Sequence, residues 1–367
     1  MDCGRIPFKL LIGLGLAVFA GIIILGLNPR HGLFTNKVAR LEDGPGIRFR
    51  KYGIAATKSF DPPVMTETFS VEIAFRSDHL RKNGFGILFM LHDGEDAGQL
   101  LMGQWRSHVV VMNGDDYDYS RKNPRLSADT APLGGEPILA TVTTGPAGAR
   151  IYLNGRLVLE KKHLTLRFPG GDGRVRLVLG NSVYGNTSWE GDLYGFAIYP
   201  FPLSPDGVAA HYNAWRSLGD FSFAAAEGAV LAYRFDEAAG GRVLDSTGRG
   251  LHLEIPPRVT LLKRQVLTFP ANEFSLRADF LQDVVVNFTG FVPFGFLVAS
   301  LLFRLQGRRR RAVAVAVAAG VAVSLGIEIG QSWMPSRSSS LLDLAMNTAG
   351  TGAGAAVFGL VCCRNLR

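Results

Sequence analysis

Four apolar runs long enough to cross a bilayer, one near the start of the chain and three near its end, constrain this sequence more than any other feature. Leu10 to Leu27 carries no charge, and at 1.5 Å per residue about 20 residues span the hydrocarbon. Arg5 and Lys9 precede it. A secretory signal has a shorter apolar stretch that ends in small residues at a cleavage point. This run ends in Gly26-Leu27-Asn28-Pro29-Arg30, so an uncleaved anchor is expected. Val284 to Phe303, Ala312 to Gly330 and Leu342 to Cys362 give three further crossings. The third opens Ala-Val-Ala-Val-Ala-Val, but both alternating residues are apolar, and continuous apolarity of this length favours a span over a half-exposed strand.

Charge then orients the chain. A hydrophobic fraction of 47% with 19% charged residues is ordinary for a soluble protein, but here the longest apolar runs sit at the two ends. The net charge of +8 has its densest run at Arg308 to Arg311, wedged between two apolar stretches. That is the mark of a cytoplasmic loop, and no nucleic-acid partner is expected. With Arg5 and Lys9 inside, the region between the first two crossings lies outside, Arg308 to Arg311 return inside, and Arg364 and Arg367 end inside. The expected location is a plasma membrane, multi-pass, with both termini cytoplasmic and the central domain extracytoplasmic. Cys3, Cys362 and Cys363 all fall at the cytoplasmic ends, and none lies in the central region, so no disulfide framework or zinc spacing is available.

The expected domains are residues 1–30, 31–275 and 276–367. The middle one reads as β. In Phe69-Ser-Val-Glu-Ile-Ala-Phe75, the residues Phe69, Val71, Ile73 and Phe75 share one face and Ser70, Glu72 and Ala74 the other, a half-buried strand. Asn154-Gly155, between apolar runs within residues 150–159, predicts a hairpin with a type I′ turn. Further strands are expected at Gly86 to His92, His108 to Met112, Ile138 to Thr143, Val175 to Leu179 and Leu193 to Tyr199, which makes a sandwich of antiparallel sheets. A short helix starts at Ser204-Pro205-Asp206, with Val208, Tyr212 and Trp215 on one face.

The hairpin Ala149-Arg-Ile-Tyr-Leu-Asn-Gly-Arg-Leu-Val158 and the run Trp189-Glu-Gly-Asp-Leu-Tyr-Gly-Phe-Ala-Ile-Tyr-Pro-Phe-Pro-Leu-Ser204 resemble the laminin-G-like, concanavalin-A-like jelly rolls. Residues 231–237 and 244–253 look like the opening of such a domain although they follow its closing hairpins. They are expected to supply strands to the same sandwich in permuted order, because too few residues remain for a second core. The resemblance implies binding of carbohydrate or protein, sometimes with calcium. Trp105 and Trp189 are the candidates for stacking on sugar rings, with core packing as the other reading. No cofactor is firmly implied; calcium is possible, with Asp115, Asp116 and Asp118 as weak metal candidates whose other reading is a solvated loop. A glycosidase needs two carboxylates set apart across the bond, and Glu72, the acid on the clearest strand, stands without partners.

The last crossings carry polar residues that a pure anchor does not need. Asp283 and Asn287 share a helix face, as do Ser324, Glu328 and Gln331, and as do Asp343, Asn347 and Thr351. Glu328 lies roughly 25 Å along its helix from Arg311 at 1.5 Å per residue, so Asp283, Glu328, Arg337 and Asp343 fall at one depth. Gly350 and Gly354 permit close helix contact. Each residue also has a structural reading: Ser340-Leu-Leu-Asp343 fits a capping box, Pro293 and Gly295 shape a bend, and Glu328 with Arg337 forms an ion pair.

Asp283-Val-Val-Val-Asn287 leading to Phe291-Val-Pro-Phe-Gly295, then Ser324, Glu328, Gln331, Arg337, and Asp343-x-x-x-Asn347-Thr-x-Gly350, resemble the VanZ-like family of small bacterial membrane proteins. That family is named after a glycopeptide (teicoplanin) resistance protein, which implies a link to glycopeptide antibiotic response. The fold expected is therefore a multi-domain membrane protein, an antiparallel β-sandwich inserted in a four-helix transmembrane α bundle. Its function would be display of a lectin-like domain toward an envelope glycan. Asp283, Asn287, Glu328, Gln331, Arg337, Asp343 and Asn347 form a candidate outer-leaflet polar site for membrane lipids or a lipid-linked sugar. The alternatives are a membrane enzyme, with Asp283, Glu328 and Asp343 as acid or base and Arg337 on a phosphate, or a structural anchor.

Overall fold

A computed structural model of the protein describes residues 7–27, 35–61, 67–78, 84–95, 97–117, 122–170, 174–237, 240–259, 261–262, 266–268, 278–334 and 337–364. The chain divides into two compact units, Phe34–Leu261 and a helical unit of Met1–Leu33 with Leu262–Arg367. The helices are α1 (Phe8–Leu27), α2 (Pro205–Leu218), α3 (Ala278–Gln306), α4 (Arg309–Gln331) and α5 (Leu341–Arg364). In chain order the strands are β1 (Val38–Arg40), β2 (Ile47–Phe49), β3 (Ala55–Thr57), β4 (Phe69–Ser77), β5 (Phe85–His92), β6 (Leu100–Trp105), β7 (His108–Asn113) and β8 (Arg125–Asp129). There follow β9 (Ile138–Gly145), β10 (Gly148–Leu153), β11 (Arg156–Lys161), β12 (Arg176–Leu179), β13 (Gly191–Tyr199), β14 (Leu231–Tyr233), β15 (Arg242–Val243) and β16 (Leu253–Glu254).

Two antiparallel sheets form the first unit. One runs β1-β2-β13-β4-β9-β10-β11, with β14 also paired to β13, and the other β15-β16-β3-β12-β5-β6-β7-β8. Strands β2 and β14 share one edge of β13, β2 at Gly191 to Leu193 and β14 at Phe196 to Ile198. The late segment thus joins both sheets: β14 enters the first, and β15 and β16 extend the second beside β3. Phe69, Val71, Ile73 and Phe75 face the core with Phe89, Leu91, Phe196 and Trp189.

Strand β4 is buried on both faces rather than one, from Phe69 through Phe75. The cause is α2 and the chain that follows it, whose Val208, Trp215, Phe221 and Ala224 cover Ala74, Ala197 and Tyr199 on the outer side of the sheet. Ser204 caps α2 by accepting from the Gly207 amide at 3.1 Å, and Gly219 ends it at φ 74°. His211, not Tyr212, joins Val208 and Trp215 as a buried residue of this helix. The β10–β11 hairpin turns through Asn154 and Gly155 at φ 50° and 77°, the positive pair a type I′ turn requires.

In the second unit α1, α3, α4 and α5 are each long and apolar enough to cross a membrane, with mean hydropathy of 2.8, 1.9, 2.2 and 1.3. Small residues set how closely α3 and α5 approach. A Cβ on Gly350 would lie 2.0 Å from the Phe288 carbonyl oxygen, and one on Gly354 would lie 1.9 Å from that of Val292. Across the same seam, a Cβ on Gly295 would lie 2.0 Å from the Thr351 carbonyl oxygen. Without a hydrophobic difference between lipid and side chain, such backbone contact is what holds membrane helices together. α1 contributes Val18, Ile22, Ile23 and Leu27 to a cluster with Phe291, Phe294 and Ile327. Gly354→Leu is therefore expected to force α3 and α5 apart and cost about 1–3 kcal/mol or more, seen as a lower unfolding temperature in detergent. Gly352→Leu, where a Cβ meets nothing within 4 Å, should leave that temperature nearly unchanged.

Candidate functional sites

The end of the helical unit where α1 and α4 finish and α3 and α5 begin holds a recess of about 390 Å³. Asp283, Asn287, Glu328, Gln331, Arg337, Asp343 and Asn347 all line it, with Ile22, Leu25 and Phe291 among its apolar neighbours. The structure thus brings together every residue of the polar set read from the sequence. Glu328 is 1% exposed and accepts from the Ser340 amide at 2.7 Å. In a capping box that amide goes to the acid three residues on. Here Glu328 of α4 takes it, while the Ser340 hydroxyl accepts from the Leu342 amide at 3.2 Å.

Gln331 and Arg337 reach the carbonyls at the end of α1, which have no partner inside their own helix. Gln331 Nε2 donates to Gly26 at 2.9 Å and Arg337 Nη2 to Leu25 at 3.4 Å. Asn347 Nδ2 donates to the Ser324 hydroxyl at 2.9 Å, tying α5 to α4. The oxygens of the two amides, Gln331 Oε1 and Asn347 Oδ1, are buried and accept no hydrogen bond among the described residues. Residues 267–268 bind the loop before α5: the Thr268 amide and hydroxyl donate to the Ser339 carbonyl at 3.1 and 2.7 Å.

In the sandwich the two tryptophans differ. Trp189 is 3% exposed, packs on Phe49 and Phe75, and donates Nε1 to Gln104 at 2.8 Å. It is a core residue and offers no face to a sugar, which corrects that candidate. Trp105 is 38% exposed with the Arg106 guanidinium 5.1 Å from its ring centre. Asp116 is buried against the Arg125 guanidinium and accepts from the Asn123 amide at 2.7 Å, so its carboxylate is committed to the fold and not to a calcium ion. Asp118 lies outside the described residues, and Asp115 stays on the loop beside Asp116, its carbonyl accepting from the Tyr117 amide at 2.9 Å. Among the described residues no three His, Cys, Asp or Glu side chains converge as a metal site.

Glu72, without carboxylate partners in the sequence reading, sits in a sealed network. Its oxygens receive Thr141 at 2.9 Å and Tyr199 at 3.1 Å, and His211 Nδ1 lies 2.9 Å away. Burial pushes the Tyr199 hydroxyl well up, and the Glu72 charge adds to that. This network fixes α2 to the sheet and faces no solvent.

A basic groove of about 700 Å³ went unread in the sequence. Lys37, Arg48, Arg50 and Lys51 line it, against Asp78 and Glu190. Strand register explains Arg48. Asp192 on β13 stands opposite both Arg48 of β2 and Arg76 of β4. Its carboxylate, fully buried, takes two bonds from Arg48 at 2.6 and 2.8 Å and one from Arg76 at 2.6 Å. Burial pushes the Asp192 carboxyl up, but the two guanidiniums outweigh it and hold it below the usual carboxylate range. A depressed folded pKa stabilises above the unfolded value and is lost as pH falls through it, so the sandwich should lose stability below about pH 4. Asp192→Asn should remove that acid step from a pH series of unfolding curves; an unaltered step would assign it to other groups.

Four membrane-length helices with a polar recess at one end, joined to an antiparallel sandwich, define a multi-pass membrane protein with a jelly-roll-like domain. Residues 246–362 match the VanZ/LLP1 family model, a match that begins before β16. No curated protein matches the chain. Among solved structures it is similar to a candidate carbohydrate binding protein from Bacteroides ovatus, at 14% identity over 62% of this chain and 63% of that one, TM-score 0.41. It is also similar to the sialidase CBM40 of Ruminococcus gnavus bound to α2,3 sialyllactose, at 14% over 48% and 98%, TM-score 0.35. The receptor binding domain of botulinum neurotoxin D stands at 13% over 48% and 47%, TM-score 0.35. The chain spans less than two thirds of the first of these.

Proposed function

We propose that the protein sits in a bacterial plasma membrane with both termini cytoplasmic. Its sandwich would face outward to bind an envelope glycan, and its helical unit would receive the polar part of a lipid or lipid-linked sugar at the outer leaflet. The observation that carries this reading is the recess, which seven polar side chains from three helices and a loop line together. Ionisable groups in membrane helices are costly unless paired or used. A pure anchor would have no need to hold three carboxylates around a space that can admit a ligand.

Binding is favoured over turnover by how Glu328 is held: its carboxylate is fixed by the Ser340 amide at the entrance to α5. On the sandwich, the groove of Lys37, Arg48, Arg50 and Lys51 supports an acidic glycan as the bound component, since clustered cationic side chains complement carboxylate or phosphate. A role in the response to glycopeptide antibiotics belongs to the same proposal and would appear as altered sensitivity on deletion.

In a glycan array probed with the full chain in detergent, acidic glycans should be retained, and Arg50→Glu with Lys51→Glu should weaken retention by about tenfold or more, the scale of losing one or two charge-assisted bonds. An array without signal, with and without calcium, would remove the lectin part. Trp105→Ala reports whether the exposed indole adds a stacking contact.

A further inference from the structure

The recess has a chemical polarity of its own. Its acceptors outnumber its donors: Asp283, Glu328 and Asp343 bring three carboxylates, and Arg337 brings the guanidinium. The amide nitrogens of Gln331 and Asn347 are both spent on the protein, on Gly26 and Ser324. Their oxygens are left, buried within side chains 7% and 3% exposed and unpartnered among the described residues. A buried acceptor without a donor is costly, so two in one recess call for a ligand that supplies N–H or O–H groups. With more acids than guanidiniums along its lining, the recess favours a cation over an anion.

We infer that the recess binds a lipid headgroup carrying a primary ammonium beside a phosphate, the chemistry of phosphoethanolamine. The ammonium supplies three N–H donors, enough for the two amide oxygens and one carboxylate, while the phosphate falls to Arg337, whose guanidinium suits it. A trimethylammonium offers no N–H, and a glycerol headgroup offers O–H donors but no positive charge to set against the acids. This assignment rests on the headgroup reading above and narrows it to one class.

The test uses the full chain in nanodiscs of phosphatidylcholine doped with equal small amounts of phosphatidylethanolamine, phosphatidylglycerol and a neutral diglucosyl lipid. Lipids retained after transfer to detergent are counted by mass spectrometry. Phosphatidylethanolamine should be enriched about tenfold over the other three, and Asn347→Leu and Asp343→Asn should abolish the enrichment. Asp283→Asn, on an exposed position at the start of α3, keeps the measurement open if Asn347→Leu does not fold, and should reduce enrichment several-fold. Soluble phosphoethanolamine should displace the retained lipid; failure to do so overturns recognition of the headgroup. Enrichment of phosphatidylglycerol that depends on Arg337 would overturn the ammonium assignment and leave headgroup binding standing. Enrichment of the glycolipid would also overturn it. No enrichment of any lipid would sink both readings.

Discussion

Polar groups inside a lipid-facing bundle must be answered by partners in the protein, because hydrocarbon supplies none. Much of the helical unit follows from that demand. The last carbonyls of α1 are met by Gln331 and Arg337, the Asn347 amide nitrogen by Ser324, and the Glu328 carboxylate by the Ser340 amide. Hydroxyls elsewhere in the helices turn back onto their own backbones, Ser300 onto Phe296 and Thr351 onto Asn347. Against this near-complete pairing, two amide oxygens without donors stand out, and they lie where the carboxylates gather.

The sandwich obeys the same rule in a different solvent. Asp192 and Glu72 are fully buried, and each is stabilised by more than one partner. For Asp192 these are two guanidiniums, for Glu72 a threonine, a tyrosine and a histidine. Both acids sit on strands whose other face is core, so the outer layer has to neutralise them. Arg48 and Arg76 of the neighbouring strands do so for Asp192; for Glu72, His211 of α2 joins Thr141 and Tyr199.

Helix positions were legible because a membrane span needs only length and apolarity, both local properties. The polar recess was legible for a related reason: spacing of four residues puts Asp283 with Asn287, and Asp343 with Asn347, on single helix faces, and the positions of Asp283, Glu328, Arg337 and Asp343 along their crossings match. Strands with strict alternation, such as Phe69 to Phe75, and the Asn154-Gly155 turn were also readable. Short strands of three residues, such as β2 and β3, were not, because nothing within three residues distinguishes a strand from a loop. The basic groove stayed hidden because it depends on which strands are neighbours: Asp192 meets Arg48 and Arg76 across distances of 144 and 116 residues. Trp189 was left between core and sugar stacking, and His211 was missed, for want of the same information, since burial under a second layer is a tertiary property.

The account depends on the recess holding a donor-bearing ligand at the polar end of the bundle. A high-resolution cryo-electron microscopy map of the full chain in nanodiscs of bacterial polar lipids tests this most directly. It should show density within hydrogen-bond distance of Gln331 Oε1 and Asn347 Oδ1 and reaching toward Arg337. A collapsed recess in which both oxygens accept from protein groups would contradict it.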